Sequence, residues 1–173
     1  MDIRALRGDD ERSLFRSGDA DLDRFFQKYA GQNQFRHHLG STYVAVEDGR
    51  ILGFVTVSPG QVESEVLSAS LGRRLPKYPL PILRLARLAV DRSCQGKGVG
   101  LELLATVFEL ALRLASDYGC VGIAVDAKPG AAEFYAKHGF TPKSAVAGEL
   151  HVAPKPIPMF LSISKLMKAG PDA

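Results

Sequence analysis

The segment Gln95–Gly100 constrains the fold more than any other part of this 173-residue sequence. It reads Gln-Gly-Lys-Gly-Val-Gly and lies between an apolar run, Ile82–Val90, and the longest helical pattern in the chain, Gly98–Ser116. Three glycines at alternate positions leave a loop almost free of side chains, so backbone N–H groups can converge at the start of the helix. A strand, a glycine-rich loop and a helix in this order predict an α/β fold with a turn that suits a phosphate-bearing ligand.

The composition is that of a soluble globular protein, 46% hydrophobic and 24% charged, and we expect one domain over residues 1–173. No apolar run approaches the roughly 18 residues that a membrane span requires, and Met1–Arg4 does not begin a signal peptide. We therefore expect a cytoplasmic protein with no membrane partner. Cys94 and Cys120 have no neighbours at metal-ligand spacing, which predicts reduced thiols and no metal site.

Charge is unevenly distributed along the chain, although the net charge is only +3. Between Val66 and Leu101 the only acidic residue is Asp91, whereas the N-terminal stretch is rich in aspartate. The basic residues of the same region are Arg73, Arg74, Lys77, Arg84, Arg87, Arg92 and Lys97. This asymmetry indicates either a positive surface for an anionic partner or a solvated face with contacts to cofactor phosphates.

The N-terminal region predicts a strand followed by an amphipathic helix. Met1–Leu6 has the pattern of a short strand, and Gly18–Asp21 predicts a helix start with acids in the first turn. The apolar residues that follow at helical spacing are Leu22, Phe25, Phe26 and Tyr29. We interpret them as the core-facing side of the helix.

A hairpin and a proline-rich loop are predicted next. Asp48-Gly49 separates two β-rich runs, Thr42–Val46 and Ile51–Val57, which is a strong hairpin signal. Val62–Leu67 predicts another short strand. Three prolines between Leu75 and Pro81 are incompatible with a helix or a sheet interior, so we expect an extended loop there. Ile82–Val90 is then interpreted as a strand that leads into the glycine loop.

The second half alternates helices and strands. Gly98–Ser116 is predicted to be a long helix with one polar stripe, and Cys120–Val125 a buried strand. Pro129 and Gly139 bracket a short helix at Gly130–His138. The closing strands are predicted at Phe140, Leu150–Val152 and Pro158–Ile163. This order of elements predicts one mixed α/β domain.

Two motifs occur together in this half. Gln95-x-x-Gly98-x-Gly100 follows the strand that ends at Leu88-Ala89-Val90, and Phe134-Tyr135-x-x-x-Gly139-Phe140 lies downstream. A glycine loop alone is also found in dinucleotide-binding and P-loop proteins, but Val99 stands where a P-loop would continue with lysine. With both motifs, Ile82–Phe140 resembles the GNAT superfamily of N-acetyltransferases. The resemblance implies a central mixed β-sheet flanked by helices, splayed central strands, and acetyl-CoA as cofactor.

Most of the chain resembles one branch of that superfamily, the GNAT toxins of bacterial toxin–antitoxin pairs. The matching segments are Gly18–Phe26, Ser41–Val44, Gly53-Phe54, Val57–Pro59, Tyr78–Pro81, Arg87–Asp91 and Val125–Ala127. The resemblance implies acetyl transfer to the α-amine of aminoacyl-tRNA, which stops translation. It also implies a homodimer and a ribbon-helix-helix DNA-binding antitoxin that neutralises the toxin. Lys128–Gly130 is shorter than in the family pattern, which leaves the start of the short helix open.

The resemblance places cofactor binding around the glycine loop. The residues implied are Leu88, Ala89, Val90, Gln95, Gly96, Lys97, Gly98, Val99, Gly100, Leu101 and Phe134. In this pattern the N–H groups of the loop bind the pyrophosphate of acetyl-CoA. The N–H of Val90 faces the thioester carbonyl as an oxyanion contact.

Tyr135 is the residue that the motif match implies as general acid. A phenol with an ordinary pKa near 10 stays protonated at neutral pH and can donate its proton to a thiolate of comparable basicity. Without the motif, we would interpret a tyrosine here as a core residue with its hydroxyl at the rim. The histidines are candidates for a general base by type alone: His37, His38, His138 and His151. We assign no base, since the α-amine of an aminoacyl ester is already less basic than that of a free amino acid.

Five basic residues are candidates for binding the phosphates of an RNA substrate: Arg73, Arg74, Lys77, Arg84 and Arg87. Arg87 has an equal claim to brace the active site through a carboxylate. Two other functions remain open, a GNAT enzyme for a small amine or a protein amino group and a CoA-binding module without turnover. The basic segment disfavours the first, and an intact glycine loop together with Tyr135 disfavours the second. The sequence does not identify the aminoacyl-tRNA.

Overall fold

The computed structural model describes residues 1–71, 74–143 and 155–169. The strands in this part of the chain are Asp2–Ala5 (β1), Ser41–Glu47 (β2), Arg50–Val62 (β3), Leu80–Val90 (β4), Gly122–Ala127 (β5), Thr141–Pro142 (β6) and Ile157–Ser162 (β7). These seven described strands form one sheet in the order β1-β2-β3-β4-β5-β7-β6. The predicted mixed α/β fold is confirmed.

Helices lie between these strands. They are Ala20–Arg24 (α1), Ala30–Phe35 (α2), Ser64–Leu71 (α3), Val99–Asp117 (α4), Ala132–Lys137 (α5) and Ile163–Lys168 (α6). A π-helical turn, Phe25–Tyr29, joins α1 to α2. Within the described ranges, no helix combines the length and the apolar character that crossing a membrane requires.

The chain divides into two compact units. The first consists of Met1–Ser58 with Leu85–Leu110, and the second of Pro59–Arg84 with Ala111–Ala173. β3, β4 and α4 each contribute residues to both units. Each unit has its own hydrophobic core.

The first unit is built around the β2–β3 hairpin. Asp48 and Gly49 both have positive φ values, 50° and 75°, as a two-residue turn between twisted strands requires. The turn sets the register, in which Glu47 pairs with Arg50. β1 adds antiparallel to β2 on the other side. The predicted hairpin and opening strand are therefore confirmed.

Phenylalanines of the first helical segment, of β3 and of the loop after β1 form the centre of this unit's core. The Phe26 and Phe54 rings stack with centroids 4.3 Å apart, and Phe15 packs edge-on against both. Phe25 is also buried in this cluster. Tyr29, which the helical spacing predicts on the same face, is instead 44% exposed. The π-helical turn explains the difference, because one extra residue in the turn rotates the following side chains out of register.

The second unit contains the other end of the sheet. β5 pairs antiparallel with β7, and β6 pairs with β7. The N–H of Val121 donates to Pro81 O at 2.9 Å, and Arg84 and Asp126 form an ion pair further along the two chain segments. β4 and β5 therefore run in the same direction, which makes the sheet mixed. At Gly122 a Cβ would lie 2.4 Å from Leu161 O, so only glycine fits there.

Two predicted elements differ from the structure, and a third lies outside the described residues. The Val62–Leu67 strand prediction is wrong, because β3 continues to Val62 and α3 follows from Ser64. Leu67 is fully buried as one face of that helix, and a two-residue apolar run cannot distinguish such a face from a strand. Ile163 begins α6 rather than ending a strand, because the Ser162 side chain caps the helix. The predicted strand Leu150–Val152 lies outside the described residues.

The start of the short helix, which the sequence left open, is a single turn of 3₁₀-helix at Pro129–Ala131 ahead of α5. Ala131 N–H donates to Lys128 O at 2.8 Å. Proline suits this first turn because its missing N–H has no helical partner there. Gly139 follows α5 with φ 100°, as expected for a helix stop.

Candidate active site

The glycine loop lies in the first unit, between β4 and α4. Gly96 and Gly98 have φ values of 77° and 86°, in the left-handed region that other residues adopt only with strain. A Cβ at either position would meet no described atom within 4 Å. The glycines are therefore needed for the backbone conformation, and the space beside them is open to a ligand.

α4 begins with N–H groups that the helix itself does not use. The Glu102 N–H donates to Gly98 O at 3.1 Å, so the N–H groups of residues 99–101 precede this first helical bond. The helix is 19 residues long, and its dipole places partial positive charge at the same end. Val99 is buried and anchors the turn. A pyrophosphate is the kind of ligand that such a helix end binds.

The other residues predicted for the cofactor differ in exposure. Ala89 is buried, Leu88, Val90, Gly100 and Phe134 are half-buried, and Lys97 and Leu101 are exposed. All of them except Phe134 belong to the first unit. Leu88–Val90 forms the end of β4, as the sequence predicts, and a 3₁₀-helical turn at Arg92–Cys94 leads from it to the loop.

Gln95 fixes the start of the loop through its side chain. Its Nε2 donates to Val90 O at 2.9 Å and to Ser17 O at 2.8 Å. Val90 is the last residue of β4, and Ser17 precedes α1. One amide group therefore ties the strand end and the N-terminal segment to the glycine loop, which makes Gln95 a positioning residue for Gly96 and Gly98.

Asp91 holds together the segment between β4 and the loop. Its carboxylate accepts hydrogen bonds from Arg16 N–H at 3.0 Å, from Ser93 N–H at 3.1 Å and Ser93 Oγ at 2.7 Å, and from Arg50 Nη2 at 3.0 Å. Burial alone raises the pKa of this carboxyl group, but the hydrogen bonds and the Arg50 charge outweigh it, so the pKa of Asp91 is lowered. The group is an ionised anchor at neutral pH.

Tyr135 lies on α5 in the second unit. Its ring packs edge-on against Phe134 at 5.2 Å and Phe140 at 5.4 Å between centroids, and the residue is 5% exposed. The side chain is thus more buried than that of a core tyrosine whose hydroxyl group lies at the rim of the core. Burial raises the pKa of the phenol well above its ordinary value. The Tyr135 phenol is therefore protonated at neutral pH.

The predicted RNA-binding residues fall into different surroundings. Arg74 and Lys77 are exposed, and Arg73 lies outside the described residues. Arg84 forms an ion pair with Asp126 at 3.5 Å. Lys143 lies beside this pair, and burial lowers its pKa with a smaller contribution from the Arg84 charge. Arg84 is 40% exposed at its side chain, so the pair contributes little to stability and leaves Arg84 accessible.

Arg87 is in the first unit and has an aromatic contact. Its guanidinium carbon lies 3.7 Å from the centroid of the Phe25 ring. No carboxylate of the described residues lies within ion-pair distance of Arg87. Burial lowers its pKa. Arg87 also lines a cavity together with Phe25, Thr42, Thr56 and other residues of the first unit.

The histidine and cysteine side chains in the described part of the chain do not assemble into a metal site. His37 and His38 follow α2 and are exposed, His138 packs against Phe134, and His151 is outside the described ranges. Cys94 and Cys120 are buried free thiols. No group of three or more His, Cys, Asp or Glu side chains among the described residues is arranged to hold a metal ion.

The supporting contacts of the glycine loop escaped sequence reasoning. Arg16 and Asp91 are 75 positions apart, and the Arg16 N–H donates to the Asp91 carboxylate, a contact for which no local pattern exists. Asp91 ends the segment Arg87–Asp91 that matches the family pattern, and Arg16 lies two residues before the matching segment Gly18–Phe26. The matches mark the segments but do not show that they touch.

Residues 38–142 match the family model described as the acetyltransferase (GNAT) domain, which is more than half of the chain. The chain belongs to this family. It is an acetyl-CoA-dependent N-acetyltransferase.

Known proteins similar to this chain include toxins. A tRNA-acetylating toxin of Mycobacterium tuberculosis (strain ATCC 25618 / H37Rv) is 33% identical over 126 residues, which cover 72% of this chain and 74% of the toxin. The fold is similar to AtaT complexed with acetyl-methionyl-tRNAfMet, with a TM-score of 0.82, 24% identity, and coverage of 96% and 97% of the two chains. It is also similar to AtaTR bound with AcCoA, with a TM-score of 0.76, 25% identity and 96% coverage of each chain.

Proposed function

We propose that this enzyme transfers the acetyl group of acetyl-CoA to the α-amine of aminoacyl-tRNA and so blocks translation, as the toxin of a toxin–antitoxin pair. The observation that carries the proposal is the 33% identity with a tRNA-acetylating toxin across 72% of the chain. The local structure supports it in two places, the glycine loop of the first unit and Tyr135 of the second.

The glycine loop fits the pyrophosphate of acetyl-CoA. Open space lies where a Cβ of Gly96 or Gly98 would stand, and the free N–H groups of residues 99–101 begin α4 beside it. These groups would hold the pyrophosphate without any charged side chain. The main chain of Leu88–Val90 would bind the pantetheine arm, with the Val90 N–H as the donor to the thioester carbonyl. Acetyl-CoA, when bound, supplies the acetyl group as a thioester.

Tyr135 is proposed as the general acid. Transfer forms a bond between the amine nitrogen and the acetyl carbon and breaks the bond from that carbon to sulfur, so the sulfur must receive a proton and the nitrogen must lose one. The proton lost from nitrogen balances the one that Tyr135 gives to sulfur and restores the phenol. Burial keeps the Tyr135 phenol protonated, which suits a donor to a departing thiolate. The amine must be neutral to react. An aminoacyl ester already has a weakly basic α-amine, so no protein base is assigned.

The basic residues before and within β4 are proposed to bind tRNA phosphates. Arg74, Lys77 and Arg84 are exposed or partly exposed, as contacts to a phosphate backbone require. Arg73 and Arg87 belong to the same proposal from sequence. Such contacts release counterions, so the affinity for tRNA should fall steeply with salt.

We also propose a ribbon-helix-helix antitoxin, a homodimer and action in the cytoplasm, where charged tRNA is found. The similar protein of Mycobacterium tuberculosis is named as a toxin, and a cell survives a toxin of this kind only with a neutralising partner. Expression of the chain with and without the reading frame immediately upstream tests the antitoxin, and light scattering of the purified enzyme tests the dimer.

The catalytic proposal is tested with labelled acetyl-CoA and four acceptors: total aminoacyl-tRNA, deacylated tRNA, free amino acids and a polyamine. We expect label only in charged tRNA, in a form that mild alkali releases through the ester bond. Tyr135→Phe should lose most of the transfer and keep acetyl-CoA binding. Tyr118→Phe is the matched control, since Tyr118 is 88% exposed in the same unit. Label that appears only in free amines would show that the substrate is not aminoacyl-tRNA. Full turnover by Tyr135→Phe would exclude Tyr135 as the general acid.

A further inference from the structure

A cavity of about 220 Å³ in the first unit lies apart from the glycine loop. Residues of the π-helical turn, α2, β2, β3 and β4 surround it, among them Phe25, Asn33, Leu39, Thr42, Thr56 and Arg87. The described lining includes one cation and no carboxylate. Its volume is that of a group about the size of one amino acid rather than of a whole cofactor.

Arg87 brings uncompensated positive charge to this cavity. The face of its guanidinium covers the Phe25 ring at 3.7 Å, which leaves the N–H groups at the edge of the plane for other partners. Burial lowers its pKa, and no described carboxylate offsets the cost of that burial. A planar guanidinium with free edge donors is suited to bidentate binding of a carboxylate or phosphate.

The walls around Arg87 are fixed by hydrogen bonds that consume acceptors. Gln34 Oε1 accepts from Thr42 N–H at 2.7 Å, and its Nε2 donates to Leu6 O at 3.3 Å. The hydroxyl groups of Thr42 and Thr56 bond to each other at 2.7 Å, so one of their two hydrogens remains for a further acceptor. The cavity therefore offers a hydroxyl donor from this pair in addition to the Arg87 guanidinium.

The π-helical turn holds Phe25 beneath Arg87. The Ala30 N–H donates to Phe25 O, five residues back, as in a π-helix. The next carbonyl group in the turn, that of Phe26, has a side-chain partner, since Arg12 Nη1 donates to Phe26 O at 2.8 Å. Turns of this kind are frequent at functional sites. The aromatic base of the cavity is thus preorganised.

We propose that this cavity binds an anionic group of the acceptor substrate, a phosphate or a carboxylate, through the edge of the Arg87 guanidinium. Arg87 precedes Val90 by three residues on β4, a separation of about 10 Å along a strand. The proposal rests on the proposed function, in which the Val90 N–H faces the thioester. The anionic groups nearest to the α-amine of an aminoacyl-tRNA are the phosphate of its terminal adenosine and, for Asp or Glu, the side-chain carboxylate.

The first test compares Arg87→Gln and Arg87→Lys with Arg24→Gln, which removes one exposed positive charge from the same unit outside the cavity. Initial rates are measured with tRNA charged with glutamate, with glutamine, and with the amino acid that the wild type prefers. We expect Arg87→Gln to raise KM at least tenfold with a smaller change in kcat, and Arg87→Lys to restore part of the loss. If KM rises equally for all charged tRNAs, the anion bound by Arg87 is the phosphate. If KM rises only for glutamyl-tRNA, the bound anion is the side-chain carboxylate. An unchanged KM overturns the proposal.

The second test has no catalytic readout. Binding of inorganic phosphate, glutarate and 5′-AMP is measured calorimetrically on the full chain saturated with CoA, so that the glycine loop is filled. Wild type and Ser58→Asn should bind at least one of the three. Ser58 also lines the cavity. Arg87→Gln and Ser58→Asp should both lose this binding, because the first removes the cation and the second places a competing carboxylate in the cavity. Equal binding by wild type and Arg87→Gln, or no binding by wild type, contradicts the proposal.

Failure of the cavity and failure of the proposed function are distinguishable. The proposed function alone is wrong if the wild type binds an anion and Arg87→Gln does not, but the wild type acetylates no aminoacyl-tRNA. The anion site then remains, and the substrate is a different anionic amine. If the wild type acetylates aminoacyl-tRNA and the Arg87 variants match it in KM and in anion binding, the cavity assignment alone is wrong.

Discussion

The side-chain amide of Gln95 donates a hydrogen bond to the carbonyl oxygen of Val90 at 2.9 Å, and so closes the strand end onto the glycine loop. The same nitrogen reaches Ser17 O in the N-terminal segment. The conformation of the loop therefore depends on a contact between residues far apart in sequence. Its capacity to bind pyrophosphate should depend on that contact as well.

Replacement of Gln95 tests this dependence. Gln95→Ala removes two hydrogen bonds of a partly solvated group, which we expect to lower the free energy of unfolding by about 1 kcal/mol. It should weaken acetyl-CoA binding about fivefold, since the loop N–H groups are no longer held in place. Gln95→Glu should be at least as damaging because a carboxylate cannot donate to either carbonyl oxygen. Unchanged acetyl-CoA affinity in both variants would show that the loop holds its shape without Gln95.

Gly98→Ala tests the loop backbone against a matched glycine. Gly98 and Gly49 both have positive φ, and a Cβ at either position would meet no described atom within 4 Å. Alanine at either position should cost about 1–2 kcal/mol of stability through the left-handed conformation. Only Gly98→Ala should also weaken acetyl-CoA binding, because its methyl group enters the space proposed for the pyrophosphate. Equal acetyl-CoA affinities for the two variants would move the ligand away from this loop.

Asp91→Asn tests the ionised anchor below the loop. Loss of the charge weakens the bonds from Arg16, Ser93 and Arg50, so we expect a decrease of about 2 kcal/mol in the free energy of unfolding at pH 7. The pKa of Asp91 is lowered in the folded state, so its contribution is complete above the unfolded pKa of about 4 and is lost as the pH falls below it. The difference between wild type and variant in urea unfolding should therefore narrow below pH 4. A difference that is constant from pH 7 to pH 3 would mean that ionisation of Asp91 is irrelevant.

Tyr135→Phe should differ from the wild type in how its free energy of unfolding depends on pH in the alkaline range. Below pH 10 the phenol is protonated in both the folded and the unfolded state, so the stability difference between wild type and variant does not depend on pH. Burial raises the pKa of Tyr135 only in the folded state, and above about pH 10 the unfolded chain alone releases the proton. The wild type should then lose about 1.4 kcal/mol per pH unit relative to Tyr135→Phe. Parallel stability curves up to pH 11.5 would show that the phenol is not buried in solution.

The fold was predictable wherever a local pattern determines local geometry. Asp48-Gly49 specifies a two-residue turn, and the apolar run before Gln95 specifies a strand, so both predictions are confirmed. Prediction failed where the decisive contact is tertiary or the pattern too short. Tyr29 is rotated outward by a π-helical turn, and Leu67 is buried as part of a helix rather than a strand.

The motifs of the candidate site are visible in the sequence, whereas the residues that brace the glycine loop are not. Glycine at positions 96 and 98 indicates positive φ directly, and the structure has it. The residues that brace the loop, Arg16 and Asp91, carry no such signal, because their contact joins segments 75 positions apart. Likewise, the sequence marks Arg87 as basic but does not reveal the aromatic ring beneath it.

The central claim is acetylation of the α-amine of aminoacyl-tRNA, and the product itself tests it most directly. Aminoacyl-tRNA is incubated with acetyl-CoA and the enzyme and digested with ribonuclease, and the terminal aminoacyl-adenosine is analysed by mass spectrometry. The account predicts that this fragment becomes heavier by one acetyl group on the amino nitrogen with the wild type and remains unmodified with Tyr135→Phe. Unmodified aminoacyl-adenosine with the wild type, under conditions in which the enzyme consumes acetyl-CoA, would contradict it.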